Sequence, residues 1–230
     1  MAKKNQKFEK QDEQLESVNQ TLTGAGKWIE EHANTLEWIV LGIVVVIFGI
    51  FLFNRYVSKP HSQAASDQNA TAVVYFMQGD YDKALNGDNT DECIGFEATA
   101  EDYSWYQEGK LAALYAGICY YEKGEYESAV EYLKKFKADD LTIAPAAKQM
   151  LGDAYVELQD YDNAAKAFEA AAKSGNEIIA PMSLKKAGLV YLHEDNKAKA
   201  LKAFKAIKEK YPTSAEAQDI DKYIAIASAE

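Results

Sequence analysis

The sequence has little of what catalytic and metal sites are made from. Two cysteines, Cys93 and Cys119, and three histidines, His32, His61 and His193, are spread over 230 residues. The cysteine spacing fits no zinc or redox motif and allows one disulfide at most, and the histidines fall in separate segments, so no pair stands at helical spacing to hold a metal. Positive charge is short as well: 25 Lys and Arg face 36 Asp and Glu, a formal net charge of -11. Binding a phosphate backbone needs clustered cations, so nucleic acid is set aside as a partner. Gly24-Ala25-Gly26-Lys27 holds a fragment of a phosphate loop, but no strand precedes it and no Ser or Thr follows the Lys. The acidic pairs Asp139-Asp140 and Asp88 with Asp91 lie in turn-like stretches and read as solvated turns and caps. With no catalytic constellation and no cofactor motif, the chain reads as a non-enzyme.

What is present begins with an uncharged stretch from Trp38 to Asn54, bounded by Glu37 and Arg55. As an α-helix at about 1.5 Å per residue it covers roughly 25 Å, near the lower end of what crosses a hydrocarbon core of about 30 Å. Trp28, Trp38, Arg55 and Tyr56 are the expected anchors against membrane lipid, the rings sitting at headgroup level. A buried core helix is the competing reading, and the polar residues before Glu37 offer it few apolar partners. The expected span is 38–57. No Ala-x-Ala-like site follows it, so it reads as a retained anchor rather than a cleaved signal. In the tail, residues 1–37, Phe8, Leu15, Val18 and Leu22 would line one face of a helix from Asn5 to Leu22, and a second piece from Lys27 to Leu36 leads into the span. The same composition suits a weakly helical, disordered tail, and both readings stay open. Arg55 and Lys59 after the span favour a cytoplasmic main domain, while Lys3, Lys4, Lys7 and Lys10 pull the other way, so charge does not set the orientation.

Beyond Pro60 the chain repeats itself. Gly124-Glu125-Tyr126-Glu127-Ser128-Ala129 recurs as Gln159-Asp160-Tyr161-Asp162-Asn163-Ala164, as Asp195-Asn196-Lys197-Ala198-Lys199-Ala200, and earlier as Gly79-Asp80-Tyr81-Asp82-Lys83-Ala84. Four residues after the later alanines come Leu133, Phe168 and Phe204. Upstream, Gly117, Gly152 and Gly188 are each followed three residues on by Tyr120, Tyr155 or Tyr191, and Ile143-Ala144-Pro145 matches Ile179-Ala180-Pro181. The period of about 35 residues and these residue types resemble the tetratricopeptide repeat, a pair of antiparallel helices per unit. Such units bury their apolar faces by stacking. The fold class expected is therefore all-α: one transmembrane helix, then a right-handed tetratricopeptide solenoid over 58–214 and a capping helix over 215–230, with Ile220, Tyr223, Ile224 and Ala227 turned inward. The turn-rich Asn86-Gly87-Asp88-Asn89-Thr90-Asp91 predicts an interruption of the first repeat over 86–101, with Cys93–Glu101 as an extra helix or loop.

Stacked repeats offer a surface lined by the first helix of each pair. Aligned on the three glycines, Leu111, Leu114, Ile118 and Tyr121 fall there in the second unit, Gln149, Asp153, Val156 and Glu157 in the third, and Lys185, Leu189, Leu192 and His193 in the fourth. Repeat domains that grip a C-terminal carboxylate resemble one another in carrying Lys and Asn at these positions, and of that set only Lys185 is kept here. The groove is expected to be mixed apolar and acidic, suited to helices or unfolded segments.

Taken together, the tail, the span and the repeats resemble the YfgM family, most specifically in Tyr115-Ala116-Gly117-Ile118-Cys119-Tyr120, Tyr132-Leu133-Lys134-Lys135-Phe136, Lys186-Ala187-Gly188-Leu189-Val190-Tyr191 and Ile220-Asp221-Lys222-Tyr223-Ile224-Ala225. The resemblance implies a bacterial inner-membrane adaptor with a cytoplasmic N terminus and periplasmic repeats. Its partners would be Sec translocon subunits, a membrane-anchored chaperone of the PpiD type, and unfolded or nascent polypeptides. A cytoplasm-facing scaffold for a signalling or assembly complex shares every repeat feature and is the alternative.

Overall fold

The computed structural model describes residue 28 and residues 32–90 and 92–229, which are helical apart from turns and an isolated bridge between Thr90 and Cys93. The readings for Asn5–Leu22 and for residues 29–31 lie outside the described residues. The chain divides into two units, residues 1–60 and 61–230.

In the first unit α1 runs Ala33–Phe53, 21 residues or about 31 Å. It thus begins ahead of Trp38 and reaches the bilayer thickness that the apolar run alone falls short of. A π-helical turn, Asn54–Ser58, follows where polar and charged residues return. Every residue from Glu37 to Val57 is exposed, and α1 is long and apolar enough to cross a membrane. Trp28 stacks on His32 with ring centroids 4.7 Å apart, and Trp38, Arg55 and Tyr56 are exposed.

The second unit holds α2 (Lys59–Met77, begun at the unit boundary), α3 (Tyr81–Asn86), α4 (Gly95–Asp102), α5 (Gln107–Glu122), α6 (Tyr126–Lys135), α7 (Ile143–Glu157), α8 (Tyr161–Ala172), α9 (Ile179–His193), α10 (Lys197–Lys210), a 3-10 turn (Ala215–Gln218) and α11 (Ile220–Ser228). The helices pair in sequence as α5–α6, α7–α8 and α9–α10. One turn design makes each pair. Gly79, Gly124, Gln159 and Asp195 all adopt positive φ, between 55° and 77°. The next residue in each case donates its amide to the carbonyl of Tyr75, Tyr120, Tyr155 or Tyr191, at 2.7–3.0 Å. This satisfies the last carbonyls of the first helix. In three of the four, the same residue then caps the second helix, Asp80, Asp160 and Asn196 each accepting a backbone N–H three residues on.

Helix approach is set by the glycines. A Cβ on Gly117 would stand 2.7 Å from Leu133 Cγ, on Gly152 2.5 Å from Phe168 Cε1, and on Gly188 2.3 Å from Phe204 Cε1. Bare backbone on the first helix therefore meets a ring or branched side chain from the second, and Ala129, Ala164 and Ala200 are fully buried beside the contact.

The first pair departs from this, and α4 supplies the ring of the repeat. Twelve positions separate Ala84 from the buried Phe96, where four separate Ala164 from Phe168; the surplus equals the eight residues 87–94 between α3 and α4. Phe96 is fully buried and stacks on Tyr115 with centroids 5.1 Å apart. The loop folds onto α2, the Tyr75 hydroxyl donating to Asp88 at 2.8 Å and the Ile94 amide to Gln68 at 2.8 Å. It closes on itself at Gly87 and Gly95, with φ of 82° and 86°, where a side chain on Gly87 would sit 2.3 Å from the Cys93 carbonyl oxygen. Cys93 and Cys119 are both free and buried, and burial pushes the Cys119 thiol up to about 12.

The cap differs from the single helix expected over 215–230. Ser214 accepts the Ala217 amide at 3.3 Å and holds Ala215–Gln218 as a 3-10 turn, and α11 then starts at Ile220. Ile220 and Ala227 are buried, and Tyr223 and Ile224 pack half-buried on the same core.

Candidate protein-binding groove

The twelve expected groove residues lie on three first helices: Leu111, Leu114, Ile118 and Tyr121 on α5, Gln149, Asp153, Val156 and Glu157 on α7, and Lys185, Leu189, Leu192 and His193 on α9. The structure corrects one of them. Leu114 is buried in the core with Leu133, Ala147 and Leu151, because a leucine at the position that bears Gln149 and Lys185 in the later units is stabilised by leaving water. It packs the stack and offers nothing to a partner. Ile118 and Val156 are half-buried against the same core.

The polar members are joined across units. Lys186 Nζ reaches both carboxylate oxygens of Asp153, at 2.8 and 2.6 Å. The Ser183 hydroxyl donates to Gln149 Oε1 at 3.0 Å, and Gln149 Nε2 donates to Met182 Sδ at 3.2 Å. Lys185 is held at 2.7 Å by Asp219 in the cap and overlies the Tyr223 ring. These bonds fix α7, α9 and the cap to one another, so Gln149, Asp153 and Lys185 serve register before recognition. Burial, together with the charges of Asp153 and Glu157, holds the Tyr121 phenol above its ordinary value, which places these three expected residues in one electrostatic neighbourhood. His193 is exposed and packs on Tyr161 with centroids 4.2 Å apart.

An open region remains at the C-terminal end. A cavity of about 290 Å³ lies among Met182, Lys185, Lys186, Leu189, Ala215 and Glu216, and Leu189 is 41% exposed on its wall. Sequence alignment missed Met182, Lys186 and Asp219. The opposite charges of Asp153 and Lys186 at neighbouring positions of successive units were the one signal that could have found a latch. Among the described residues no group of three or more His, Cys, Asp or Glu is placed to hold a metal ion.

The sequence matches tetratricopeptide repeat families over residues 111–140, from α5 to the loop after α6, and over residues 150–215, from within α7 to the turn after α10. No curated protein matches the chain. The chain carries tetratricopeptide repeats, and such repeats are protein-interaction scaffolds.

Proposed function

We propose that the chain is a membrane-anchored adaptor that holds other polypeptides and carries out no chemistry of its own. The observation that carries this is the pairing of a 21-residue helix, apolar and exposed from Trp38 to its end at Phe53, with a stack of protein-binding repeats. An exposed apolar surface of that size is not tolerated in water and calls for lipid around it. The open wall at Leu189, with Ile118, Tyr121, Val156, Glu157 and His193 along the same helices, is the proposed contact surface. Its mixed apolar and acidic character suits amphipathic helices or unfolded segments, whose ordering cost keeps affinities weak.

The finer reading rests on the resemblance to the YfgM family: a bacterial inner-membrane protein, N terminus cytoplasmic and repeats periplasmic, linking Sec translocon subunits and a PpiD-type chaperone to emerging chains. Pull-down from detergent-solubilised membranes tests it. Translocon subunits are expected with the intact chain and lost when residues 38–54 are replaced by an unrelated apolar helix; equal recovery with both overturns the translocon link. The placement of Arg55 and Lys59 after the apolar run favours a second reading, a cytoplasm-facing scaffold. Protease added to intact spheroplasts separates the two, cutting the repeats only if they are periplasmic.

A further inference from the structure

A second cavity, of about 650 Å³, is lined by none of the twelve groove positions. It is walled by the start of α5 (Gln107, Lys110), the end of α6 with the following loop, and the first half of α7. Leu133, Phe136, Ala147 and Leu151 form its apolar part; Lys110, Lys134, Lys137 and Lys148 surround it, with Asp139 as the one carboxylate.

The charges around this cavity run against their surroundings. Residues 61–142 contain sixteen Asp and Glu and only six Lys. The three lysines away from the cavity are all neutralised: Lys83 by Asp80, Lys123 by Asp82 and Glu125, and Lys135 by Glu131, at 2.8–3.0 Å. The other three, Lys110, Lys134 and Lys137, line the cavity, and α7 adds Lys148. None of these four ammonium groups has a hydrogen bond or ion pair within the described residues, Lys134 only overlying the Tyr155 ring at 5.2 Å. In a chain so rich in carboxylates, four unneutralised cations around one concavity are a site complementary to negative charge. The volume falls within the roughly 300–1,000 Å³ of ligand pockets, and the apolar part needs a carbon side chain to cover it.

We infer that this cavity docks an acidic segment of a partner protein, one bulky apolar side chain on the half-buried Phe136 and Leu151 and flanking carboxylates on the lysines. The inference rests on the reading of the repeats as protein-binding, and adds a site separate from the α7–α9 groove. The test uses the full chain in zwitterionic lipid nanodiscs and a fluorescein-labelled peptide of alternating Asp and Glu around a single Phe, followed by anisotropy. Saturable binding is expected. It should weaken about tenfold or more in Lys110→Glu/Lys137→Glu and on raising salt to about 0.5 M, and stay unchanged in Leu189→Glu. Because Lys110 is half-buried, the exposed pair Lys134→Gln/Lys148→Gln serves as a second variant, each confirmed folded by its melting curve. No saturable binding, binding insensitive to both lysine pairs, or equal displacement by inorganic phosphate or anionic vesicles overturns the proposal. Loss in Leu189→Glu alone moves the peptide to the groove, which refutes this site while leaving the protein-binding reading intact.

Discussion

The first and last helix pairs meet the same packing demand with different parts. In the last, Gly188 on α9 meets Phe204 on α10 over four residues of continuous helix after Ala200. In the first, Ala72 stands where the glycine stands, three residues before Tyr75, and the ring comes from Phe96 on a separate helix that resumes after an eight-residue loop. The loop is tolerated because its ends return to one place. Gly87 and Gly95 allow the close backbone approach, and Asp88 and Ile94 are tied back to α2. Both pairs thus keep a small buried residue three positions before the tyrosine and a buried ring in the same core, whereas continuity of the second helix can be broken.

The largest expected effect tests whether Phe96 is the counterpart of the later rings. Phe168→Ala should cost about 3–5 kcal/mol, and Phe96→Ala, equally buried, should fall in the same range in denaturant titration of the full chain. A cost for Phe96→Ala below about 1 kcal/mol would make α4 a surface addition and end the equivalence.

The glycines come next. Gly188→Ala pushes a methyl into a fully buried ring and should cost about 1–3 kcal/mol, with part of the loss recovered in Gly188→Ala/Phe204→Leu. In the first pair the converse change, Ala72→Gly, should cost only about 1 kcal/mol through backbone freedom and a small void. Equal costs for the two would show that the ring contact does not set helix approach.

A pH dependence separates the interrupted pair from the α6–α7 loop. Burial raises Glu97 on α4, which accepts the Tyr120 hydroxyl, above the ordinary 4.5. A carboxyl that holds its proton more tightly when folded loses stability as pH rises from 4.5 through its native value, and is flat above it. Asp140 is the opposite case: the backbone N–H groups of Thr142, Ile143 and Ala144 lower it below 3.8, so its contribution is present above that value and is lost as pH falls through the native one. Thermal melts across pH should lose the upper slope in Glu97→Gln and the lower slope in Asp140→Asn; a pH profile unchanged in either variant removes that assignment.

These regions also mark how far the residues could be read directly. The Gly–Tyr–Ala–Phe period gave the later pairs because the same residue types recur at the same spacing, and the apolar run from Trp38 to Asn54 stood out because no charge interrupts it. Ala72 and Phe96 were illegible for one reason: alanine is common on any helix, and the loop displaces the ring from its register. The groove was half legible. Aligning units says which positions are equivalent, but Asp153 meets Lys186 and Lys185 meets Asp219 across units, and only packing decides those neighbours. Leu114 shows the same limit, being equivalent to Gln149 in register and yet buried.

The turns allow the finest test. Gln159 holds a left-handed backbone where Gly79 and Gly124 stand in the earlier units, so Gln159→Gly should gain about 0.5–1 kcal/mol and Gly124→Ala should lose about as much. A smaller effect lies one residue on. Asp80, Asp160 and Asn196 accept the backbone N–H of Lys83, Asn163 and Lys199, each at 3.2 Å, whereas Glu125 makes no such bond to α6 and pairs with Lys123 at 3.0 Å instead. An aspartate there exchanges an exposed ion pair worth about 0.2–1 kcal/mol for a cap worth about 0.5–2 kcal/mol. Glu125→Asp should therefore raise stability by about 0.5 kcal/mol and Glu125→Ala should lower it slightly. If the aspartate variant melts below the native chain, the Lys123 pair outweighs the missing cap, and the second unit is stabilised by its charges where the others rely on their caps.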